Sequence, residues 1–141
     1  MLVDSNILIY AINHDSPKYS KAIRFISENH SHLAVAHQNI LETIRVLTHP
    51  KYSKYVTIKK AVSAVYNISE ALQIIVPNNE THYIARQMIL RYSLLGNRIF
   101  DAYLAATAIS NGIFKIATDN ERDFSKFSEL KVTNPFKQND S

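Results

Sequence analysis

The sequence predicts an α/β protein in which a parallel sheet of about five short strands carries helices on both faces, a three-layer α/β/α arrangement. Three observations carry this expectation. Short apolar runs recur along the 141 residues, at Leu2-Val3, Leu33-Ala34-Val35, Gln73-Ile74-Ile75-Val76, Lys115-Ile116-Ala117-Thr118 and Leu130-Lys131-Val132-Thr133. Longer segments of helical periodicity separate them, and strands alternating with helices form parallel sheets covered on both sides. Only 2 Gly and 4 Pro interrupt the chain, so elements should be long and loops short.

Leu2-Val3 leads into Asp4 as the first strand, and a first helix runs from Asn6 to Ile12. Pro17 opens a second helix, Tyr19 to Asn29, with Ala22, Ile23 and Ile26 on one face. After the second strand, Gln38 to Leu47 is helical and stops at His49-Pro50, because proline disfavours helix in the residue before it. A helix from about Ile58 to Leu72 precedes the third strand, which ends at Pro77. Glu80 to Leu94 is expected to end at Gly96 and Arg98 to Asn111 at Gly112, since glycine suits the left-handed residue that follows a helix. In such sheets the working site lies beyond the carboxyl ends of the strands.

Apolar residues make up 46% of the chain and charged residues 20%, which suits one globular domain, expected over 1–136 with a polar tail at 137–141. No cysteine is present, which excludes disulfides, thiolate metal sites and cysteine nucleophiles. No apolar run approaches the roughly 18–20 residues that span a bilayer. Met1-Leu2-Val3-Asp4 places an acid where a signal peptide is apolar, so a cytoplasmic protein without membrane partners is expected. The formal net charge of +4 is compatible with a polyanionic partner, because basic surfaces gain free energy by releasing phosphate counterions.

Of the 12 acids, three stand in apolar company: Asp4, Glu42 and Asp101. A fourth group, Asp119 with Asn120 and Asp123, follows the fourth strand. Asp4 and Asp119 both fall at strand ends, on the expected functional edge. Asp4 also suits helix N-capping, and the two roles can coexist; the 119–123 segment also suits an ordinary polar turn. Asp101 projects with Ala105 and Ala108 from a helix that is apolar nearly all round, where an unpaired carboxylate is costly to desolvate and calls for a cation, a cap or a wet cleft. Glu42 projects away from the stripe Ile40, Leu41, Ile44 and Leu47 toward Arg45, which by periodicity alone reads as a solvated pair. Two carboxylates about 5 Å apart repel by roughly 3 kcal/mol at an effective dielectric of 20. A cluster of three or four therefore points to a divalent cation, and oxygen-only ligands favour Mg²⁺ or Mn²⁺ over zinc.

Four stretches resemble the PIN-domain family, specifically the VapC-type toxins of type II toxin–antitoxin systems. They are Val3-Asp4-Ser5-Asn6, Asn39-Ile40-Leu41-Glu42 with Arg45 to Pro50, Gly96 to Ala108 around Asp101, and Ala117 to Phe124. Their order and spacing cover the chain from Met1 to about Phe136. The resemblance implies a three-layer α/β/α fold, an acidic pocket binding Mg²⁺ or Mn²⁺, endonucleolytic cleavage of RNA (tRNA or rRNA among relatives), homodimerisation, and a cognate antitoxin that reaches into the pocket. Asp4, Glu42 and Asp101 fall on the family's acidic positions, and it is the family likeness that moves Glu42 to a functional role. For the fourth position Asp119 and Asn120 compete; Asp119 is assigned to it, and Asp123 aligns with a further acid near the pocket. Asn6 and Thr118 are candidate donors that orient the carboxylates.

Lys51, Tyr52, Lys54 and Tyr55 interleave charge with aromatic rings and are candidate RNA contacts, or simply a solvated loop. His30, His32 and His37 lack the ligand pairing of a zinc site. A haloacid-dehalogenase-type phosphatase would want an acid where Asn6 stands. A receiver domain would want a phosphoacceptor Asp where Pro77-Asn78-Asn79 stands. The non-enzymatic alternative is a PIN-fold module that binds RNA or docks protein with weak or no cleavage.

Overall fold

Strand β1 (Leu2–Val3) occupies the middle of a five-stranded, all-parallel sheet of order β3-β2-β1-β4-β5. A computed structural model describes residues 1–52 and 56–137. The remaining strands are β2 (Ala34–Ala36), β3 (Gln73–Ile75), β4 (Lys115–Ala117) and β5 (Lys131–Thr133). The helices are α1 (Ser5–Ile12), α2 (Tyr19–Asn29), α3 (His37–Thr48), α4 (Ile58–Ser69), α5 (Thr81–Arg91), α6 (Arg98–Ser110) and α7 (Glu121–Phe124).

Three layers follow from the two-residue period of the strands. Leu2, Ala34, Ala36 and Ile116 face a core built with Met88, Leu104, Ala105, Phe124 and Phe127 from the α5–α7 side. Val3, Val35 and Ala117, one position out of phase, face a second core with Ile7, Ala22, Ile40, Leu47 and Val65 from α1–α4. Buried small residues on α6 (Ala102, Ala105, Ala106 and Ala108) let that helix lie close to the sheet. The chain winds outward from β1 to β2 and β3, then returns to place β4 on β1's other side. The strand order therefore reverses between β1 and β4, and the crevice at such a reversal is where this class of sheet binds ligands. Among the described residues no helix is long and apolar enough to cross a membrane.

All five expected strands form, and the expected helices lie within a few residues of their places. Three differences have physical causes. Helix α5 ends at Arg91, short of Leu94, because Ser93 already adopts the left-handed conformation (φ 50°), three residues before Gly96 does (φ 57°). The Leu94 amide then donates to the Ile89 carbonyl (3.1 Å) and the Ser93 amide to Leu90 (3.4 Å), the paired bonds of a Schellman ending, and Leu94 turns into the core. On α2 the inward face is Ala22, Phe25 and Ile26, while Ile23 is exposed. Helix α7 replaces the polar turn expected after β4: Phe124 and Phe127 bury on the sheet and pull the segment into a helical turn. The expected polar tail, 137–141, lies outside the described residues apart from Lys137.

Candidate active site

Asp4 stands where β1 ends and α1 begins, and it does two jobs. Its backbone is extended (φ −74°, ψ 156°), and Oδ1 accepts a hydrogen bond from the Ser5 amide (2.8 Å), so it caps α1. Its Oδ2 accepts from Thr118 Oγ1 (2.8 Å) at the end of the neighbouring strand, and Asn6 Nδ2 reaches both Thr118 Oγ1 (3.1 Å) and Asp4 Oδ2 (3.4 Å). Only 8% of the residue is exposed. Burial pushes the carboxyl up to about 6; the bonds from Thr118 and Ser5 oppose the rise, and the charges of Glu42 and Asp123 add to it.

Asp101 sits in the first turn of α6, where the helix dipole favours an anion. Burial nevertheless wins, joined by repulsion from Asp123 and Asp4, and raises this carboxyl to about 6 against the pull of Lys126 and Arg98. Glu42 comes from α3, with Arg45 Nη2 4.0 Å from its Oε1 on the solvent side. Asp123 comes from α7 and accepts a 2.6 Å hydrogen bond from Asn120 Nδ2. Asp4, Glu42, Asp101, Asn120 and Asp123 all line one cavity of about 200 Å³. That cavity shares Gln38, Glu42, Asp101 and Asp123 with a groove of about 970 Å³ between α3 and α6, whose walls include Arg45, Arg98, Phe100 and Tyr103.

The donor set is four carboxylates and an amide, all oxygen ligands, which fits a hard divalent cation. Two of the acids hold raised pKa values, burial being the largest cause in each and neighbouring acids adding to it. Among the described residues no three acidic or imidazole groups are drawn together closely enough to grip an ion. The cavity is thus acidic and open.

Asp119 is not among the cavity residues. Its Oδ2 accepts hydrogen bonds from Tyr10 Oη (2.8 Å) and from Lys18 Nζ, and Asn134 Nδ2 approaches Oδ1 (3.4 Å). Although burial by itself raises this carboxyl, Lys18 and Tyr10 hold it below its ordinary value. The geometry places Asp119 outside the cavity, against Tyr10 and Lys18, and brings Asn120 and Asp123 to its wall. The reason is strand alternation. Asp119 follows Ala117 onto the α1–α4 face, whereas Thr118 follows Ile116 toward the side that carries Asp4, Asp101 and Asp123.

Gln38 had no counterpart in the sequence reading. It lies one turn before Glu42, its Nε2 donates to the Phe100 carbonyl (3.1 Å), and it lines both concavities; the signal was its i, i+4 spacing from Glu42. Of the loop residues considered as RNA contacts, Lys51 is exposed and Tyr52 packs against the α1–α4 core, neither lining the groove. Lys54 and Tyr55 lie outside the described residues. His37 lines the groove, while His30 and His32 sit in a 3₁₀ turn apart from it.

Comparison with known proteins bears on the family and the fold. Residues 1–130 match the profile of the PIN domain. The chain is 25% identical to Ribonuclease VapC24 of Mycobacterium tuberculosis over 143 aligned positions, covering 94% of each protein. Its fold is similar to a toxin–antitoxin complex chain from Klebsiella pneumoniae (TM-score 0.69, 19% identity, 97% of this chain and 98% of that one). It is also similar to Mycobacterium tuberculosis VapC20, described as a Sarcin-Ricin loop cleaving toxin (TM-score 0.67, 17% identity, 92% and 97%). The chain belongs to the PIN-domain family.

Proposed function

We propose that this protein is a divalent-metal-dependent endoribonuclease and the toxin of a toxin–antitoxin pair. The observation that carries the reading is the convergence of Asp4, Glu42, Asp101 and Asp123 on one cavity at the sheet's reversal point, two of them with carboxyls near 6. Carboxylates raised in this way by burial, with repulsion from neighbouring acids, favour a cation partner. Asp4, Asp101 and Asp123, with Glu42 directly or through water, would hold Mg²⁺ or Mn²⁺. When bound, such an ion supplies the charge that polarises a phosphodiester and ionises a water near neutral pH.

The chain's own groups orient the rest. Thr118 and the Ser5 amide hold the two oxygens of Asp4 in separate directions, and Asn120 does the same for one oxygen of Asp123. Arg45 and Arg98 on the groove walls suit phosphates flanking the cut, and the exposed ring of Phe100 offers a stacking surface for an unpaired base. RNA as substrate is supported by the likeness to Ribonuclease VapC24, and tRNA or rRNA as target by the likeness to a Sarcin-Ricin loop cleaving toxin. An antitoxin partner is supported by the likeness to a chain from a toxin–antitoxin complex, and a homodimer by family resemblance.

A second reading, a PIN-fold module that binds RNA or protein without cutting, is favoured by the open spacing of the acids. One experiment separates the two: incubation of total cellular RNA with purified, antitoxin-free protein in Mg²⁺, Mn²⁺ or EDTA, beside the Asp4→Asn variant. Discrete fragments that need metal and vanish in the variant are expected. Intact RNA with every metal would move the conclusion to the docking module.

A further inference from the structure

Asp119 is an acid immediately beside the proposed catalytic cavity that does not enter it, and its surroundings form an unusually complete holding device. Lys18 Nζ, which bonds the Asp119 carboxylate, also lies over the rings of Tyr10 (5.1 Å) and Phe136 (5.4 Å). Those two rings meet edge to face at 5.3 Å, and the Tyr10 hydroxyl bonds the same Asp119 oxygen. Asn134 approaches the other oxygen and accepts from the Phe136 amide (2.9 Å). The carboxylate thereby joins α1, the start of α2 and the segment after β5. Its side chain is 18% exposed, so the ion pair is shielded on one side and stronger than an open surface pair.

The same residue is tied by its backbone to the cavity. The Asp119 amide donates to Asn6 Oδ1 (3.2 Å), and Asn6 in turn bonds Thr118 Oγ1. Thr118 Oγ1 donates to Asp4 and accepts from the Asn120 amide (3.0 Å), and Asn120 holds Asp123. Three consecutive residues thus straddle the reversal point: Thr118 and Asn120 reach the acids, and Asp119 anchors the turn from behind.

We propose that Asp119 is a positioning residue, which through Lys18 and Tyr10 pins the 118–123 turn and so sets Thr118, Asn120 and Asp123 against Asp4 for cation binding. The cation part of this inference rests on the metal-dependent reading above; the pinning of the turn does not.

The test uses metal-free wild-type protein and Asp119→Asn, which keeps the shape but loses the charge. Hydrogen–deuterium exchange should be about tenfold faster at the Asp119 and Asn120 amides, while the amides of α5 keep wild-type rates, marking local and not global opening. Calorimetry with Mn²⁺ and no RNA should show about tenfold weaker binding, the scale expected when a group behind the ligands is lost. Lys18→Met should reproduce both effects and Lys18→Arg should restore them. Lys18→Met combined with Asp119→Asn should be no worse than either alone, because the two act through one contact. Wild-type exchange at 119 and 120 in Asp119→Asn would overturn the proposal. So would loss of Mn²⁺ binding as complete as in Asp4→Asn, which would make Asp119 a ligand. If wild-type protein binds no Mn²⁺, the metal-dependent reading fails, and the exchange comparison alone decides whether the turn is pinned.

Discussion

Asp4 and Asp119 follow neighbouring strands of one sheet, yet the fold treats their carboxyls in opposite ways. Asp4 is buried against hydroxyl and amide donors with other acids nearby, and its carboxyl rises to about 6. Asp119, despite its own burial, is matched by Lys18 and Tyr10 and falls below the ordinary value. A structural acid is given its cation by the chain itself. The acid proposed to hold a cation has no such partner in the chain, and burial, with other acids nearby, holds its carboxyl up. Stability given up at a working site is the recurring cost of such an arrangement.

The largest predicted effect separates the two sides by activity. Asp101→Asn should lower metal-dependent RNA cleavage by at least about a hundredfold, while Asp119→Asn should lower it only about tenfold at limiting metal, as outer partners of a metal site do. Equal losses in single-turnover assays would erase the distinction.

Stability should reverse the ranking. Raising the Asp4 carboxyl from 3.8 to about 6 corresponds to about 3 kcal/mol of destabilisation at neutral pH, an upper figure for the metal-free protein. The sign follows from proton binding. Between about pH 4 and 6 the folded state holds the Asp4 proton more tightly than the unfolded chain, so stability falls as pH rises through that window. Asp4→Asn, which preserves an N-cap, should therefore raise the urea midpoint of metal-free protein at pH 7.5, with the gain disappearing by about pH 4. Added Mg²⁺ should stabilise the wild type and not this variant.

Asp119 has the opposite slope. Its lowered carboxyl contributes stability above pH 3.8 that is lost as pH falls through its folded value, so Asp119→Asn should cost about 1 kcal/mol at pH 7 and progressively less once the pH falls below 3.8. Urea titrations at pH 7 and at successively lower pH would show the crossing, and parallel behaviour of the two variants would break the comparison.

The smallest effect is remote from both acids. Ser93 holds a left-handed conformation at the end of α5, so Ser93→Gly should raise the urea midpoint by an amount worth about 0.5 kcal/mol without changing cleavage. A change in cleavage would mean that α5 bears on the site.

The strands were legible because each is a short apolar run, and with the helices between them they predict a parallel sheet with its site at the strand ends. Asp4, Glu42 and Asp101 all stood out as acids in apolar company, but by periodicity alone Glu42 points to Arg45, and only the arrival of α6 opposite α3 makes a groove there. Asp119 lies outside the cavity although its nearness to the strand end suggested a place in it. Counting by twos from Ala117 would have sent it to the α1–α4 face, but its partner Lys18 lies 101 residues away and leaves no local mark. Asp123 reaches the cavity through α7, whose turn is set by burial of Phe124 and Phe127 more than by any capping signal.

The most direct test is an NMR titration of the carboxyl carbons of metal-free protein, repeated with Mg²⁺. Asp4 and Asp101 should titrate near 6 and shift downward when Mg²⁺ is present, while Asp119 stays below its ordinary value and hardly responds. Ordinary values for Asp4 and Asp101 that ignore Mg²⁺, or a response greatest at Asp119, would contradict the account.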